Sequence, residues 1–282
     1  MSNNNNIRNS NVQTDQSNNE ELPYNPLNKL VTEEEVNALL GDVTKVKDIN
    51  IYRKAFVHRS YCTRKNENFL IGNLGCPTNC LPLQEESNER LEFLGDAVVN
   101  LVVARYLFFR YPDENEGFMT RIRTRLVCGT QMAHFAGIIG LEKHLMISKQ
   151  IEDNQGRHNL NLLEDCFEAF IGAILNDQGT MGDGYEVAEA WIVNLIETNI
   201  DFSDLIANNT NYKDQAIKAF LHNFNVSLRF QEISVDSTSS GGKKYTICVK
   251  GQGDAILGIG IGQSKKIAEN DAARVVLANM KN

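Results

Sequence analysis

The chain has 282 residues, of which 42% are hydrophobic, and a formal net charge of −8. This length suits one large or two modest domains, and the hydrophobic fraction is sufficient for a packed core. No segment approaches about 18 consecutive apolar residues, so the sequence predicts no membrane-spanning helix. Taken alone, the negative net charge argues against a nucleic-acid-binding protein.

The charge is divided unevenly along the chain. Residues 210–282 contain 10 Lys and Arg against 6 Asp and Glu, a net of +4, which leaves a net of −12 for residues 1–209. Such asymmetry indicates an acidic body followed by a basic interaction module.

The first residues are rich in Asn and nearly free of large apolar side chains. We interpret residues 1–22 as a disordered tail. The segment has neither a basic n-region nor an apolar h-region, so it is not a secretory signal, and we expect an intracellular, cytoplasmic protein. The cysteines are therefore not expected to form a disulfide framework. Cys76 and Cys80 form a pair near Cys62, which is fewer than the four ligands of a structural zinc site.

Residues 23–200 show the apolar periodicity of helices, interrupted by one polar segment. Thr32 and Glu35 form a capping-box pattern at the start of the first helix. Residues 62–87 contain Gly, Pro and many Asn, which predict a long loop. The predicted helices span residues 32–41, 47–58, 88–111, 116–139, 159–176 and 184–198.

The pattern changes after residue 200, where a polar linker is predicted over residues 201–211. A short helix at 212–224 precedes three segments of alternating apolar residues, which predict strands. These strands are expected in "VSLRFQEISV", "KKYTICVKG" and "DAILGIGIG", and a last helix follows in "SKKIAENDAARVVLANM". The sequence thus predicts an all-α domain at residues 23–200 and a small α+β domain of order α-β-β-β-α at residues 212–282.

The segment "NERLEFLGDAVVN" (88–100) contains three acids on one side of a predicted helix. At about 100° per residue, Glu92 and Asp96 fall within about 60° of Glu89, and like charges at these spacings destabilise a helix. Either a solvated acidic face or a bound cation explains them. The core face is predicted on the remaining arc, which contains Leu91, Phe93, Leu94, Ala97, Val98 and Leu101.

The segment "NLLEDCFEAFIGAIL" (161–175) repeats this pattern, with Asp165 and Glu168 on an otherwise apolar helix and Cys166 in its core. If the two acidic faces converge, the pKa values of the carboxylates rise. A hard divalent cation relieves that repulsion, and Mg²⁺ commonly uses a few carboxylates, water and substrate phosphate oxygens. Such a site suits phosphodiester hydrolysis. On the residues alone, solvated acidic faces and a metal site both remain open.

The basic module has two lysine pairs that suit an anionic partner. Lys265 and Lys266 lie in the first turn of the last helix, after Ser264 as the expected N-cap. Cations there oppose the helix dipole, but a helix N-terminus with two lysines is a good phosphate site. Lys243 and Lys244 follow the "STSSGG" turn and provide a second contact. A solvated basic turn is the alternative.

Four segments resemble the signatures of the ribonuclease III family of endonucleases, in the family's order. They are "AFVHRSY" (55–61), "NERLEFLGDAVV" (88–99), "NEGFMTRIRTRLV" (115–127) and "LEDCFEAFIGAIL" (163–175). The segment "SKKIAENDAA" (264–273) is similar to the start of the second helix of a double-stranded-RNA-binding domain. The resemblance covers roughly residues 27–282.

This resemblance implies a helical nuclease domain that forms a homodimer, followed by a domain that binds double-stranded RNA. It implies hydrolysis of both RNA strands with Mg²⁺, for which Mn²⁺ substitutes, leaving 5′-phosphates and short 3′ overhangs. By motif position, the implied metal-binding acids are Glu92, Asp96, Asp165 and Glu168, of which Asp96 and Glu168 are the catalytic residues. Glu89 and Glu116 match two further acids with supporting roles. Gly95 fits a close approach of neighbouring backbone or of RNA.

The sequence departs from the family pattern in three places. The loop at 62–87 is longer than in compact bacterial members. In the RNA-binding domain, the usual polar contact of the first helix falls near Ile217 or Gln215, and the turn "STSSGGKK" lacks the usual His. Because duplex RNA is read by shape, phosphates and 2′-hydroxyls, we expect weak sequence specificity.

Two other functions compete with this interpretation. The protein could bind and sequester double-stranded RNA without cleaving it, although such a protein has no physical need for four mutually repelling acids. A helical dimerisation scaffold with a basic appendage is the other alternative, and it predicts no binding of divalent metal.

Overall fold

The computed structural model describes residues 23–63, 75–207, 212–237 and 242–280. The chain divides into two compact units, residues 1–200 and 201–282. The tail predicted for residues 1–22 and the middle of the 62–87 loop lie outside the described residues. In the parts of the chain that are described, no helix is both long and apolar enough to cross a membrane.

The first unit is helical, as predicted, and begins with the expected capping box between Thr32 and Glu35. A short 3₁₀ turn, Arg59–Tyr61, lies between its second and third helices. The helices are α1 (Glu33–Leu40), α2 (Ile49–Ala55), α3 (Glu89–Arg110), α4 (Glu116–Leu126), α5 (Gly129–Ile139), α6 (Lys149–Asp153), α7 (Leu160–Asp177) and α8 (Met181–Asn199).

Several predicted boundaries are wrong, including the start of the helix predicted over 184–198, which begins at Met181. The helix predicted over 47–58 ends at Ala55, and the linker predicted over 201–211 contains a helix, α9 (Phe202–Ala207). The single helix predicted over 116–139 is α4 followed by α5, because Cys128 has an extended backbone between them. Each of these two helices buries its own apolar face, which one straight helix could not do.

Helix α7 forms the centre of the first unit. All of residues 166–175 are buried, including Cys166, which was predicted to belong to the core. The ring of Phe170 packs against Tyr52, Phe56 and Trp191 at centroid distances of 5.6, 5.9 and 5.5 Å. Aromatic packing of this kind fixes the rotation of α7 about its axis and therefore the direction of its acids.

The buried face of α3 agrees with the predicted one at Leu91 and Val98 but differs at the other positions. Its core stripe runs through Leu91, Gly95, Val98 and Val102, whereas Phe93 is 81% exposed. Ala97 and Leu101, also predicted to be buried, are exposed as well. The predicted arc was too wide and shifted towards Phe93, because the centre of the observed stripe is Gly95, which an apolar pattern does not include.

The second unit has the predicted order of helix, three strands and helix. Its strands form an antiparallel sheet in the order β1-β2-β3. The first strand starts three residues later than predicted from its apolar alternation. After α9, the elements are α10 (Tyr212–Phe224), β1 (Arg229–Ser237), β2 (Lys243–Lys250), β3 (Ile256–Gly262) and α11 (Lys265–Met280).

The glycines of β3 allow α11 to pack directly on the sheet. A Cβ atom on Gly260 would lie 2.5 Å from the carbonyl oxygen of Ala268, which is far inside van der Waals contact. Ala272 and Val276 of α11 meet Val249 of β2 in the core of this unit. The close packing sets the position of the first turn of α11 relative to the sheet.

Candidate active site

Helices α3 and α7 cross at two glycines with their backbones in contact. A Cβ atom on Gly95 would overlap the carbonyl group of Glu168, lying 2.6 Å from its carbon. A Cβ atom on Gly172 would lie 3.0 Å from the carbonyl carbon of Leu91. The close approach predicted at Gly95 is therefore an approach of neighbouring backbone.

This crossing brings the acids of both helices together around Glu168. The Glu168 side chain is buried, with 7% of its surface exposed. Burial and, to a lesser extent, neighbouring negative charges together raise the pKa of its carboxyl group to about 8. These charges belong to Asp96, Glu164, Glu92 and Asp165.

The carboxyl groups of Glu92 and Asp165 lie at one edge of this cluster, and both are half-buried. Burial raises the pKa of Glu92, and the charge of Asp165 is the next cause. Burial also raises the pKa of Asp165, against the opposing positive charge of Arg59. Of the four acids assigned to the metal site from the sequence, Asp96, Glu92 and Asp165 are thus all close enough to act on the fourth, Glu168.

Asp96 is the most accessible of these four acids. The side-chain amide of Asn100, one turn later on α3, donates hydrogen bonds to Asp96 Oδ1 at 2.8 Å and to its backbone oxygen at 3.0 Å. The carboxylate is therefore oriented by Asn100 while the residue stays exposed.

The two acids given supporting roles lie in different places. Glu89 is exposed in the first turn of α3, where it accepts a hydrogen bond from the Ser87 hydroxyl at 2.8 Å and lies 3.6 Å from Arg59. Glu116 is exposed at the start of α4, where it accepts a hydrogen bond from the Thr120 hydroxyl at 2.7 Å. Its charge contributes to none of the raised pKa values in the cluster.

Sequence reasoning missed two residues of this site. Glu164 is a fifth carboxyl group, whose pKa is raised by burial and then by Asp165 and Asp96. The sequence could have indicated this, because Glu164 lies four residues before Glu168 and therefore on the same face of the helix. Arg59 is a cation at the cluster, and no periodicity could have placed it there because it lies in a short turn.

A second glycine contact makes room for Glu164. A Cβ atom on Gly129, the first residue of α5, would lie 2.5 Å from Glu164 Oε1. The carboxylate of Glu164 therefore fills the space beside the start of α5 that a larger residue at 129 would occupy.

The chemistry of these donors fits a hard divalent cation. In the described parts of the chain, no three His, Cys, Asp or Glu side chains are arranged to hold one ion among themselves. Mg²⁺ does not require such a cage, because it is usually bound by one or two carboxylates together with water and substrate phosphates. Burial and then the repulsion between neighbouring acids raise the pKa of Glu168, and a bound cation would offset both.

The lysines predicted to bind an anion lie in the second unit, at one end of its sheet. Tyr245 of β2 pairs with Gly262 of β3, so the start of β2 lies beside the start of α11. The exposed lysines at this end are Lys243, Lys244, Lys265 and Lys266. Ser264 Oγ accepts a hydrogen bond from the backbone nitrogen of Ile267 at 3.3 Å, which confirms the predicted N-cap.

One of these lysines is already paired. Lys265 Nζ lies 2.8 Å from Oε2 of Glu232 on β1, in a pair whose lysine side chain is 65% exposed and whose glutamate side chain is 38% exposed. An anion that binds here therefore competes with a carboxylate of the same chain.

The first unit is helical and contains the carboxylate cluster, and the second has the order α-β-β-β-α. These two folds together agree with a nuclease domain followed by a double-stranded-RNA-binding domain. The family model for ribonuclease-III-like domains matches residues 48–199, and that for the double-stranded RNA binding motif matches residues 216–280. The chain belongs to the ribonuclease III family. This is a family of metal-dependent nucleases.

Several relatives match over most of the chain. Ribonuclease 3 of Streptococcus gordonii is 33% identical over 81% of this chain and 88% of its own length. Probable ribonuclease 3 of Acanthamoeba polyphaga mimivirus is 32% identical over 91% of this chain, which spans only 47% of that protein. The nuclease domain of ribonuclease III from Campylobacter jejuni aligns with 60% of this chain and 99% of its own, at 31% identity and a TM-score of 0.48.

Proposed function

We propose that this chain is an endoribonuclease that hydrolyses double-stranded RNA with a divalent metal, leaving 5′-phosphates and short 3′ overhangs. The observation that supports it most directly is the convergence of acids from α3 and α7 on the buried Glu168. The family membership and the RNA-binding motif at residues 216–280 give the substrate class.

In this proposal, Mg²⁺ is the preferred ion and Mn²⁺ substitutes for it, since all the donors are carboxylates. Asp96 and Glu168 are the catalytic acids and hold the metal together with Glu92 and Asp165. Bound Mg²⁺ supplies the neutralisation of charge that phosphodiester hydrolysis requires. Asn100 keeps the Asp96 carboxylate oriented, and the contact between the two helix backbones keeps Glu168 opposite to it.

The second unit is proposed to bind the RNA duplex through Lys243, Lys244, Lys265 and Lys266. Phosphate contacts from lysines and a helix N-terminus are independent of base sequence. This agrees with the expectation of weak sequence specificity for duplex RNA.

We also propose that the nuclease unit forms a homodimer in which Phe93 is the central contact. The Phe93 side chain is 81% exposed, so little of its apolar surface is buried within one copy of the unit and most of it is accessible to a second copy. The same unit has a pocket of about 300 Å³ between α3 and α4, lined by Ala104, Leu107, Phe108, Glu116, Met119, Thr120 and Arg123. Entry of Phe93 into the pocket of a second copy gives a self-complementary interface.

This dimer also gives Glu116 a role that the single chain does not. Glu116 lines the pocket, and Phe93 follows Glu92 directly in sequence. Docking of Phe93 in a partner would therefore bring Glu116 close to the Glu92 of the other copy. The supporting role of Glu116 is then exerted across the interface.

The test is incubation of the full chain with a long, labelled RNA duplex in Mg²⁺ and, separately, in EDTA. We expect Mg²⁺-dependent shortening to small duplexes with 5′-phosphates, and no cleavage of a single strand of the same sequence. Retained binding without cleavage in Mg²⁺ or Mn²⁺ would contradict the proposal and favour the RNA-sequestering alternative. Absence of both binding and cleavage would favour a scaffold.

A further inference from the structure

We propose that Arg59 is a substrate-positioning residue whose guanidinium group binds a phosphate of the RNA strand at the acid cluster. The inference rests on the proposed function, since it requires duplex RNA at that cluster. It assigns a role to a residue that belongs to neither the carboxylates nor the lysines already described.

The backbone of Arg59 is held in a defined position. It begins the 3₁₀ turn, whose N-cap is His58, and His58 Nδ1 accepts a hydrogen bond from the backbone nitrogen of Ser60 at 3.2 Å. Tyr61 is fully buried, and its hydroxyl donates a hydrogen bond to the carbonyl oxygen of Leu81 at 2.7 Å. The turn is thus anchored in the core, and the origin of the arginine side chain is fixed.

The side chain itself is held only weakly. It is 73% exposed, and its Nη1 lies 3.6 Å from Glu89 Oε1, which is longer than a hydrogen bond. Exposed ion pairs of this kind contribute at most about 1 kcal/mol to stability. Glu89 has another partner in the hydroxyl of Ser87. The guanidinium group can therefore exchange Glu89 for a phosphate at little cost.

The charge at this place also favours a phosphate ligand. The positive charge of Arg59 acts on Asp165, Glu92 and Glu89 at once. A phosphodiester that approaches these acids is repelled, and a cation fixed at their edge offsets part of that repulsion. The planar donors of a guanidinium group match two phosphate oxygens, which a lysine does not.

The competing explanation is that Arg59 only shields the acids from each other within the folded chain. Shielding predicts a change in stability and no change in the number of phosphate contacts. Phosphate binding predicts little change in stability when Arg59 is replaced, because an exposed ion pair stabilises little. It also predicts a weaker salt dependence of RNA binding, because one phosphate contact is lost.

The experiment uses the full chain with Arg59→Gln, Arg59→Lys and a matched control, Arg90→Gln. Arg90 is exposed on the same part of α3 as Glu89 but lines a different groove with Lys54 and Glu86. Single-turnover cleavage of a labelled RNA duplex in Mg²⁺ is measured against enzyme concentration at several KCl concentrations. Thermal unfolding of each variant is measured in parallel.

For Arg59→Gln we expect a single-turnover rate about 10- to 100-fold lower, as for loss of one charged hydrogen-bonding contact. The slope of log half-saturating concentration against log KCl should fall by about one. Arg59→Lys should recover the slope and part of the rate, and Arg90→Gln should equal wild type. Thermal unfolding should be unchanged in all three.

Wild-type rate and slope in Arg59→Gln would overturn the inference. A lower rate with an unchanged slope, or with a matching loss of thermal stability, would also overturn it in favour of shielding. If wild type itself fails to cleave RNA, the proposed function fails, which is distinguishable from failure of this inference alone.

Discussion

The backbone carbonyl group of Glu168 occupies the space that a side chain at position 95 would fill. A Cβ atom on Gly95 would lie 2.6 Å from the carbonyl carbon of Glu168. The separation of α3 and α7 at the acids is therefore set by contact between main chains. Main chains have fixed geometry, whereas side chains adjust. The distance between Asp96 and Glu168 thus depends directly on Gly95.

Gly95→Ala should destabilise the fold by at least about 1–3 kcal/mol and reduce cleavage, because neither backbone can yield without separating the helices. Urea denaturation and single-turnover cleavage measure the two effects. Gly137→Ala is the matched control, since a Cβ atom at this helical position of α5 meets no atom within 4 Å. The control should be neutral or slightly stabilising. Wild-type stability of Gly95→Ala would show that the helices do not cross as described.

Glu168 should make the metal-free protein less stable as pH rises. Its folded pKa of about 8 exceeds the ordinary value of 4.5. Between these values the unfolded carboxyl group has lost its proton while the folded one retains it, so raising the pH favours unfolding. Asp96, Glu164, Glu92 and Asp165 are the charged groups that face it.

In EDTA, Glu168→Gln should therefore be more stable than wild type near pH 8, and the difference should shrink towards pH 4.5. Urea denaturation at a series of pH values measures this difference, and Glu34→Gln, at an exposed position of α1, is the control. Mg²⁺ should stabilise wild type and not the variant. A pH-independent difference between the two proteins would contradict the burial and charge described for Glu168.

The pairing of Lys265 with Glu232 should weaken RNA binding in the wild-type chain. Glu232→Gln should tighten duplex binding by about threefold, the scale expected for release of an exposed ion pair.

Joint replacement of Lys265 and Lys266 by Ala should weaken binding and lower its salt slope. Filter binding in EDTA measures both effects.

The control for Glu232→Gln is Asp254→Asn, which removes the same charge from a pair with Arg229 at 2.9 Å. Equal tightening by both variants would assign the effect to net charge instead of to Lys265. An unchanged salt slope after loss of both lysines would remove them from the RNA contact.

Phe93→Ala should shift the protein from a dimer towards a monomer, because the variant removes the side chain proposed to enter the partner's pocket. Light scattering coupled to size-exclusion chromatography measures the mass. Met181→Ala provides the control, since Met181 is 68% exposed at the start of α8. A dimer that persists in Phe93→Ala would assign the interface to another surface.

Features encoded by local patterns were predicted from the sequence. The capping box at Thr32, the N-cap at Ser264 and the burial of Cys166 each depend on residues within one or two turns. The order of strands and helices in the second unit follows from the change in apolar period between segments. Convergence of the acids was considered only as a condition, because both helices interrupt an apolar pattern with charge but solvated acidic faces remained an alternative.

Features that depend on tertiary contact were not predicted. The core stripe of α3 is centred on Gly95, so the apolar count placed it near Phe93, which is exposed. The break between α4 and α5 at Cys128 was not predicted from the residues that precede it. It depends on tertiary packing, because each of the two helices buries its own apolar face. Arg59 reaches the acids only because its turn is anchored in the core.

The most direct test of the central claim, that these acids form the catalytic centre, is single-turnover cleavage of a long RNA duplex by Asp96→Asn, with binding measured in the same samples. The control is Asp113→Asn, the same change at an exposed position beyond the end of α3. We predict that Asp96→Asn binds RNA as wild type does and does not cleave it in Mg²⁺, while Asp113→Asn does both. Cleavage by Asp96→Asn at the wild-type rate would contradict the account.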